Sequence, residues 1–241
     1  MKILSTFIPN KEHADQKVHI CSPENEKEIQ ELYDFRYRVY VELGYINPLK
    51  YQEDIDDYDK SDCSHYCVSD GNSVFGYVRL IKSSFLPAFH AFSFEMPVQL
   101  TSFPEDEIVE LSRLIVLRCP RFSIPRHFVM LFLFRTILEQ VGDVKGGVAY
   151  VKSTLLNKLN KLRFPIHTVG EYTNSYTEQD VLYPYFTQQE DPAIPIYFTK
   201  YEVNKYINKM LNPPLVRKNI EGEFEINNSM YSRLLVLFRI I

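Results

Sequence analysis

Apolar and polar positions along this chain switch between two periods, and each switch marks an element. Residues Lys17 to Cys21 alternate as a strand does, and Leu32, Phe35, Val39 and Leu43 then recur at helical spacing. Ser22 stands where an N-cap belongs, with Pro23 at the first helical position and Gly44 at the stop. His65 to Ser69 and Val74 to Lys82 read as a hairpin turning through Asp70-Gly71-Asn72. A connection rich in Pro and Phe, Phe85 to Pro104, is expected to cover whatever lies beneath it. Ile108 to Leu117 predicts another strand. Arg126 to Val141 predicts a helix that is apolar all round at Phe128 to Phe134 and therefore buried. Gly147 to Val151, His167 to Glu171 and Ile194 to Thr199 predict strands, and Thr154 to Leu162 and Tyr201 to Leu211 predict helices. The order β-α-β-β-β-α-β-α-β gives an α/β fold, a mixed central sheet with helices on both faces. Residues 1–200 read as the main domain. Residues 201–241 read as an extension, a helix and an apolar tail from Leu234 that packs on the domain or on a partner.

Composition narrows the classes. At 241 residues the chain can bury one substantial core, and its net charge of −4 provides no global field for nucleic acid. The charge is unevenly spread. Glu53 to Asp62 is acidic, whereas Leu114 to Leu138 carries Arg118, Arg121, Arg126 and Arg135 without an acid, and Val144 to Gly170 is similarly basic through Lys152 and its neighbours. A basic face suits an acidic partner or a phosphate. No apolar run reaches the ~18 residues of a membrane span, and the short run before Pro9 is not a secretory signal, so a cytoplasmic location is expected. The four cysteines form no convincing disulfide framework. Cys63, His65 and Cys67 alternate and share one strand face, but zinc needs a further ligand or an open water position and no second pair is evident. They are read as core residues, with no metal expected.

The chemistry concentrates in Glu110-Leu111-Ser112-Arg113, an acid and a base inside an apolar strand. Arg36 in the first helix, Asp56 and Asp59 before the hairpin, and Arg79 within it supply further charges. Buried charges must be paired, so these residues either order the acidic loop against the sheet or hold a substrate. A desolvated Glu110 would have a raised pKa and would serve as general base for an amine attacking a thioester, since amino acid amines are mostly protonated near neutral pH. Alternation puts Glu110 and Ser112 on one face and Arg113 on the other. Their convergence requires a bulge, expected between Glu110 and Arg113, which would also free a backbone N–H for an oxyanion. Asp54 to Asp59 is not a calcium loop, because Tyr58 stands where an acid belongs and Asp59 where glycine belongs.

Four motifs in order carry a resemblance. Arg36-Tyr37-Arg38-Val39-Tyr40, Asp54-Ile55-Asp56-Asp57-Tyr58-Asp59, Gly76-Tyr77-Val78-Arg79-Leu80 and Glu110-Leu111-Ser112-Arg113 resemble those of the acyl-homoserine-lactone synthases. The same set occurs in the N-acyl amino acid synthases, the ornithine-lipid N-acyltransferases and the exosortase-associated acyltransferases, all of the Gcn5-related N-acyltransferase fold. The last group is closest in length and in the run Val39 to Tyr45. The resemblance implies transfer of a fatty acyl group from phosphopantetheine, on an acyl carrier protein or coenzyme A, to the amine of an amino acid or similar small molecule. It implies no permanently bound cofactor and no nucleic-acid partner. It casts Glu110 and Ser112 as catalytic and Arg36, Asp56, Asp59, Arg79 and Arg113 as an electrostatic cluster that binds the acceptor. Phe92 and Phe94 are expected to line the acyl tunnel, and Arg118, Arg121, Arg126 and Lys152 to receive the carrier. Two departures matter. The lactone synthases have a Trp after the first helix, and this chain has none, with Tyr45 the nearest substitute. The connection Arg118 to Arg126 has no Gly and two Pro, which cannot donate to a pyrophosphate, but is rich in Arg. A lactone synthase using S-adenosylmethionine and a catalytically silent acyl-binding module are the alternatives.

Overall fold

A computed structural model describes residues 1–9, 15–60, 63–83, 85–121, 124–213 and 215–227. Strand β1 (Lys2–Ile8) was not anticipated from the short apolar run before Pro9. It pairs antiparallel with β2 (Val18–Ser22). Helix α1 (Glu26–Glu42) begins later than expected: Asn25, not Ser22, is its cap, its side chain accepting from the Glu28 N–H at 3.0 Å. Gly44 follows in a left-handed conformation, φ 70°, as the stop signal requires.

Strands β3 (Cys63–Ser69) and β4 (Val74–Ile81) form the expected hairpin. The Phe-rich connection then folds into helix α2 (Pro87–Ala91), strand β5 (Phe92–Phe94) and helix α3 (Val98–Thr101). After it come β6 (Ile108–Val116), helix α4 (Arg126–Gln140), β7 (Gly146–Lys152) and helix α5 (Ser153–Lys161). Of the strand expected at His167 to Glu171 only β8 (His167–Thr168) forms, and β9 (Tyr172–Asn174) pairs with β5 in a separate ribbon. Helix α6 (Tyr183–Thr187), β10 (Ala193–Thr199) and helix α7 (Lys200–Met210) follow. Strands β11 (Val216–Lys218) and β12 (Phe224–Ile226) were not anticipated. The expected apolar tail from Leu234 lies outside the described residues.

The main sheet runs β11-β12-β1-β2-β3-β4-β6-β7-β10-β8. It is antiparallel except at β12–β1 and β6–β7. One face packs on α4, whose Phe128, Val129, Leu131, Phe132 and Leu133 are wholly buried with Phe7, Ile20 and Val68. The all-round apolar sequence of α4 is thus explained: α5 and α7 cover it from the other sides. Helix α1 packs on the opposite face through Leu32, Phe35 and Val39. No described helix is long and apolar enough to cross a membrane.

The β6–β7 pair positions the site. Its register runs Ile108↔Gly146, Val109↔Gly147 and Glu110↔Val148, and then stops. Beyond Glu110 the two strands part. At the paired end they approach closely because β7 starts with glycines: a Cβ on Gly147 would lie 2.6 Å from the Val109 carbonyl oxygen and 2.6 Å from the Phe198 ring. Gly147→Ala is expected to lower stability by about 1–3 kcal/mol through this overpacking, measured by chemical denaturation.

Candidate active site

Alternation sends Tyr77, Arg79 and Ile81 of β4 to the α1 face, and helical spacing turns Arg36 toward the same layer. Both arginines are completely buried. A bare guanidinium there would be very costly, so each is surrounded by acceptors. Arg36 Nε donates to Asp54 Oδ2 at 3.1 Å, its Nη1 to Asp59 Oδ1 at 2.8 Å and to the Tyr77 hydroxyl at 3.0 Å. Arg79 donates through Nη1 and Nη2 to the two oxygens of Asp56 at 2.6 and 3.0 Å, and through Nε to the Ser112 hydroxyl at 3.0 Å. Its Nη1 also stands 2.8 Å from Asp59. Arg113 Nη2 donates to Asp56 at 3.0 Å and lies 2.9 Å from Asp54 Oδ1. Three arginines thus face three aspartates, and the buried cluster is neutral. Burial pushes the Asp56 and Asp59 carboxyls up, but the guanidiniums outweigh it and hold both below the usual carboxylate range.

Arg113 reaches this face through a bulge. The β4–β6 ladder is regular at Ile81↔Glu110, Leu80↔Leu111 and Arg79↔Ser112, then resumes at Tyr77↔Ile115 with one extra residue on β6. Arg113 has φ 58°, in the left-handed region that non-glycine residues seldom adopt. The ladder is thus regular through Ser112 and the bulge begins at Arg113, at the far end of the interval from Glu110 to Arg113 in which it was expected. Its effect is the expected one: Arg113 joins Glu110 and Ser112 on one face.

Glu110 is wholly buried and stands apart from the ion pairs. Its Oε2 accepts from the Ala88 N–H of α2 at 2.6 Å, and its Oε1 has no hydrogen-bond partner among the described residues. Burial pushes its carboxyl up to about 8, against the pull of the Ala88 N–H and Arg79. The group thus changes charge near neutral pH, a range that suits proton transfer.

Past the end of the β6–β7 pairing lies a cavity of about 380 Å³. One limb, under α1, is lined by Tyr40, Tyr45, Tyr150, Lys152 and Tyr185. The other, against α4, is apolar, with Leu111, Met130, Phe134 and Ile137. Arg113 and Leu114, the bulge residues, form part of the wall between them.

Several expected positions differ. Phe92 and Phe94 are not on the cavity wall. Phe92 is buried among Tyr150, Tyr172, Tyr176 and Phe186, and Phe94 leans on Phe89. Lys152 is 5% exposed inside the cavity, so it offers no outer surface to a carrier. Arg118, Arg121 and Arg126 are exposed, and Arg126 borders the cavity. Ser112 is occupied by Arg79. Asp54, Tyr77, Tyr150 and Tyr185 were not singled out from the sequence; Asp54 was visible in the acidic run, but aromatic residues give no such signal. Asp59, Cys63 and His65 bring ligand atoms within 4.8 Å of one another. Asp59 is already shared by two guanidiniums, whose positive charges oppose a further cation beside them, so the group is a poor fit for a metal ion. All four cysteines are free.

Residues 35–122 match the model of the acetyltransferase (GNAT) domain. A comparison of the sequence with curated proteins finds none that matches. Among solved structures, the chain is similar to the AHL synthase LasI at 16% identity and TM-score 0.52, over 76% of this chain and 89% of that one. It is similar to the CoA-dependent acyl-homoserine lactone synthase MesI at 16% identity and TM-score 0.53, over 80% and 94%. TofI, solved in a ternary complex with an inhibitor and MTA, matches at 15% identity and TM-score 0.52, over 85% and 96%. A strand pair that parts beside a bulge, the domain model matched over residues 35–122 and these shared folds lead to one assignment: the chain has the GNAT fold.

Proposed function

We propose that this protein transfers a fatty acyl group from an acyl carrier protein thioester to the amine of a small molecule. The observation that carries this reading is the two-limbed cavity beside the β6 bulge. Its apolar limb suits an alkyl chain, and its aromatic limb suits a compact acceptor. The thioester carbonyl lies at the bulge, where the ladder leaves backbone N–H groups to stabilise the oxyanion. The amine nitrogen attacks this carbon, the C–N bond forms, and the C–S bond breaks. The ammonium of the acceptor gives one proton to Glu110 to become nucleophilic, and the second proton that nitrogen loses as the amide forms goes to the departing thiolate, which leaves as the thiol. Glu110 is off the cavity wall, so its proton passes through one water beside Tyr150, whose hydroxyl senses the Glu110 charge. The paired arginines and aspartates hold the bulge and the acidic loop in place. The exposed Arg118, Arg121 and Arg126, in a stretch with no acid, favour an acidic carrier over coenzyme A.

Incubation with mixed acyl carrier and coenzyme A thioesters and a panel of amines, followed by mass spectrometry, is expected to yield N-acyl products and free thiol. Consumption of no donor with any amine would leave a silent acyl-binding module. With S-adenosylmethionine as acceptor, release of methylthioadenosine would identify a lactone synthase instead.

Glu110→Gln is expected to cut kcat by ~10²- to 10⁴-fold. In the wild type kcat/KM should rise with pH and level off above about 8. The stability change has the opposite sense. A carboxyl raised from 4.5 to about 8 on folding adds stability below pH 4.5 that is lost as pH rises through about 8. The Gln variant should therefore melt higher than wild type at pH 9 while being inactive, and a lower melting temperature would make Glu110 a structural residue. Arg79→Met leaves Asp56 and Asp59 buried with too few cations and should cost about 3–5 kcal/mol in denaturant titrations. Met130→Trp, which fills the apolar limb, should shorten the longest acyl chain accepted while leaving short-chain transfer intact.

A further inference from the structure

The arginines of the neutral cluster all have carboxylate partners. Lys152 has none. It is 5% exposed, and among the described residues no carboxylate lies within ion-pair distance of its ammonium. Asp191 is the one acid whose charge it feels, and Asp191 is engaged at the start of α5. There it accepts from the Ser153 hydroxyl at 2.8 Å, the Thr154 N–H at 2.9 Å and the Thr154 hydroxyl at 2.8 Å. The Lys152 ammonium donates to the Tyr185 carbonyl oxygen and lies over two rings, 4.3 Å from the centre of Tyr185 and 5.4 Å from that of Tyr45. An ammonium has three donors, so this leaves donors to spare on a side chain that lines the cavity. Burial alone pushes its pKa down. An arriving anion would both satisfy those donors and restore a neutral interior.

Its place in the sheet indicates which anion. The parallel register pairs Ile108 with Gly146. That register ends at Glu110↔Val148, and Lys152 stands further along β7, lining the same cavity as the bulge residues Arg113 and Leu114. An acceptor whose amine meets the thioester at the bulge would therefore carry its other end toward Lys152, inside the limb walled by Tyr40, Tyr45 and Tyr185. A phosphate on the pantetheine arm would instead lie outside, toward the solvent-exposed arginines.

We propose that Lys152 is the acceptor's anion anchor: it binds the carboxylate of an amino acid whose amine is acylated at the bulge. This rests on the acyl-transfer reading above and names its acceptor class. The aromatic faces around the ammonium exclude water and hold it at one height, so that a neutral amine lacking the carboxylate would leave the cation unpaired and be selected against.

Two measurements separate this inference from the reading beneath it. The first needs no turnover. Calorimetry with N-dodecanoylglycine and with N-dodecanoylglycinamide should show the acid binding wild type about 10- to 100-fold more tightly. Lys152→Gln should erase that gap, and Lys152→Arg should retain part of it. Equal binding of acid and amide to wild type would overturn the anchor, whether or not the variants fold. The second is a competition of each amino acid against its decarboxylated amine with an acyl carrier thioester. Wild type should prefer the amino acid, and Lys152→Gln should raise its KM about 10- to 100-fold with kcat nearly kept. Transfer to both partners alike would sink the anchor and leave acyl transfer standing. If no amine is acylated, acyl transfer itself fails, and the binding comparison still decides Lys152. An acyl group found covalently on Lys152 would overturn the anchor in favour of an acyl-lysine intermediate.

Discussion

The parting of β6 from β7 is the constraint on which the site depends. Two parallel strands remain paired only while both keep a regular register. Here they are pressed together at the Gly146–Gly147 end, where there is no side chain to keep them apart. A few residues later β6 takes on an extra residue at Arg113 and can no longer follow its neighbour. The gap that opens runs from one face of the sheet to the other, and helices α1 and α4 close it from either side. A binding cavity follows from the sheet itself.

The same bulge decides where charge is buried. It returns Arg113 to the α1 face, next to Arg79 and Arg36, and brings three cations into a dry layer. Three aspartates from one acidic loop neutralise them. With that cluster balanced, Glu110 and Lys152 are two buried groups, among the described residues, whose charge has no counterion in contact. Burial pushes both toward their uncharged forms, one up and one down. They lie on adjacent strands, Glu110 where the β6–β7 pairing ends and Lys152 beside the cavity that opens beyond it. An electrically quiet surround with two adjustable groups is a setting in which a single proton transfer has a large effect.

Much of this was legible in the residues. Helical spacing placed α1 and α4, and the Asp70-Gly71-Asn72 turn placed the β3–β4 hairpin. The apolar setting of Glu110 and Arg113 marked the acid-bearing strand, and alternation demanded a bulge. What alternation could not give was its position, because either side of Ser112 satisfies the pattern and only the β4 register chooses. The cap of α1 was missed because Asn25 and Ser22 are both good caps, and the choice depends on where tertiary packing starts the helix. Strands β11 and β12 are only a few residues each and have no periodicity to read. Lys152 looked like one of a run of surface lysines. Its burial comes from Tyr45 and Tyr185, distant in sequence, and no local pattern announces it.

The pairing of β1 with β12 has a consequence for biogenesis. Phe7 of the first strand lies in register with Phe224, and Lys17 reaches Glu223 at 2.6 Å, so residues more than 200 positions apart seal that flank. Synthesis proceeds from the N-terminus, and the β1 margin must wait unprotected until the last described strand leaves the ribosome. An open margin of this kind invites pairing with another nascent chain. Chaperone demand should therefore concentrate late in translation, and a chain ending just before Val216 would leave that margin open even though every residue lining the cavity is present.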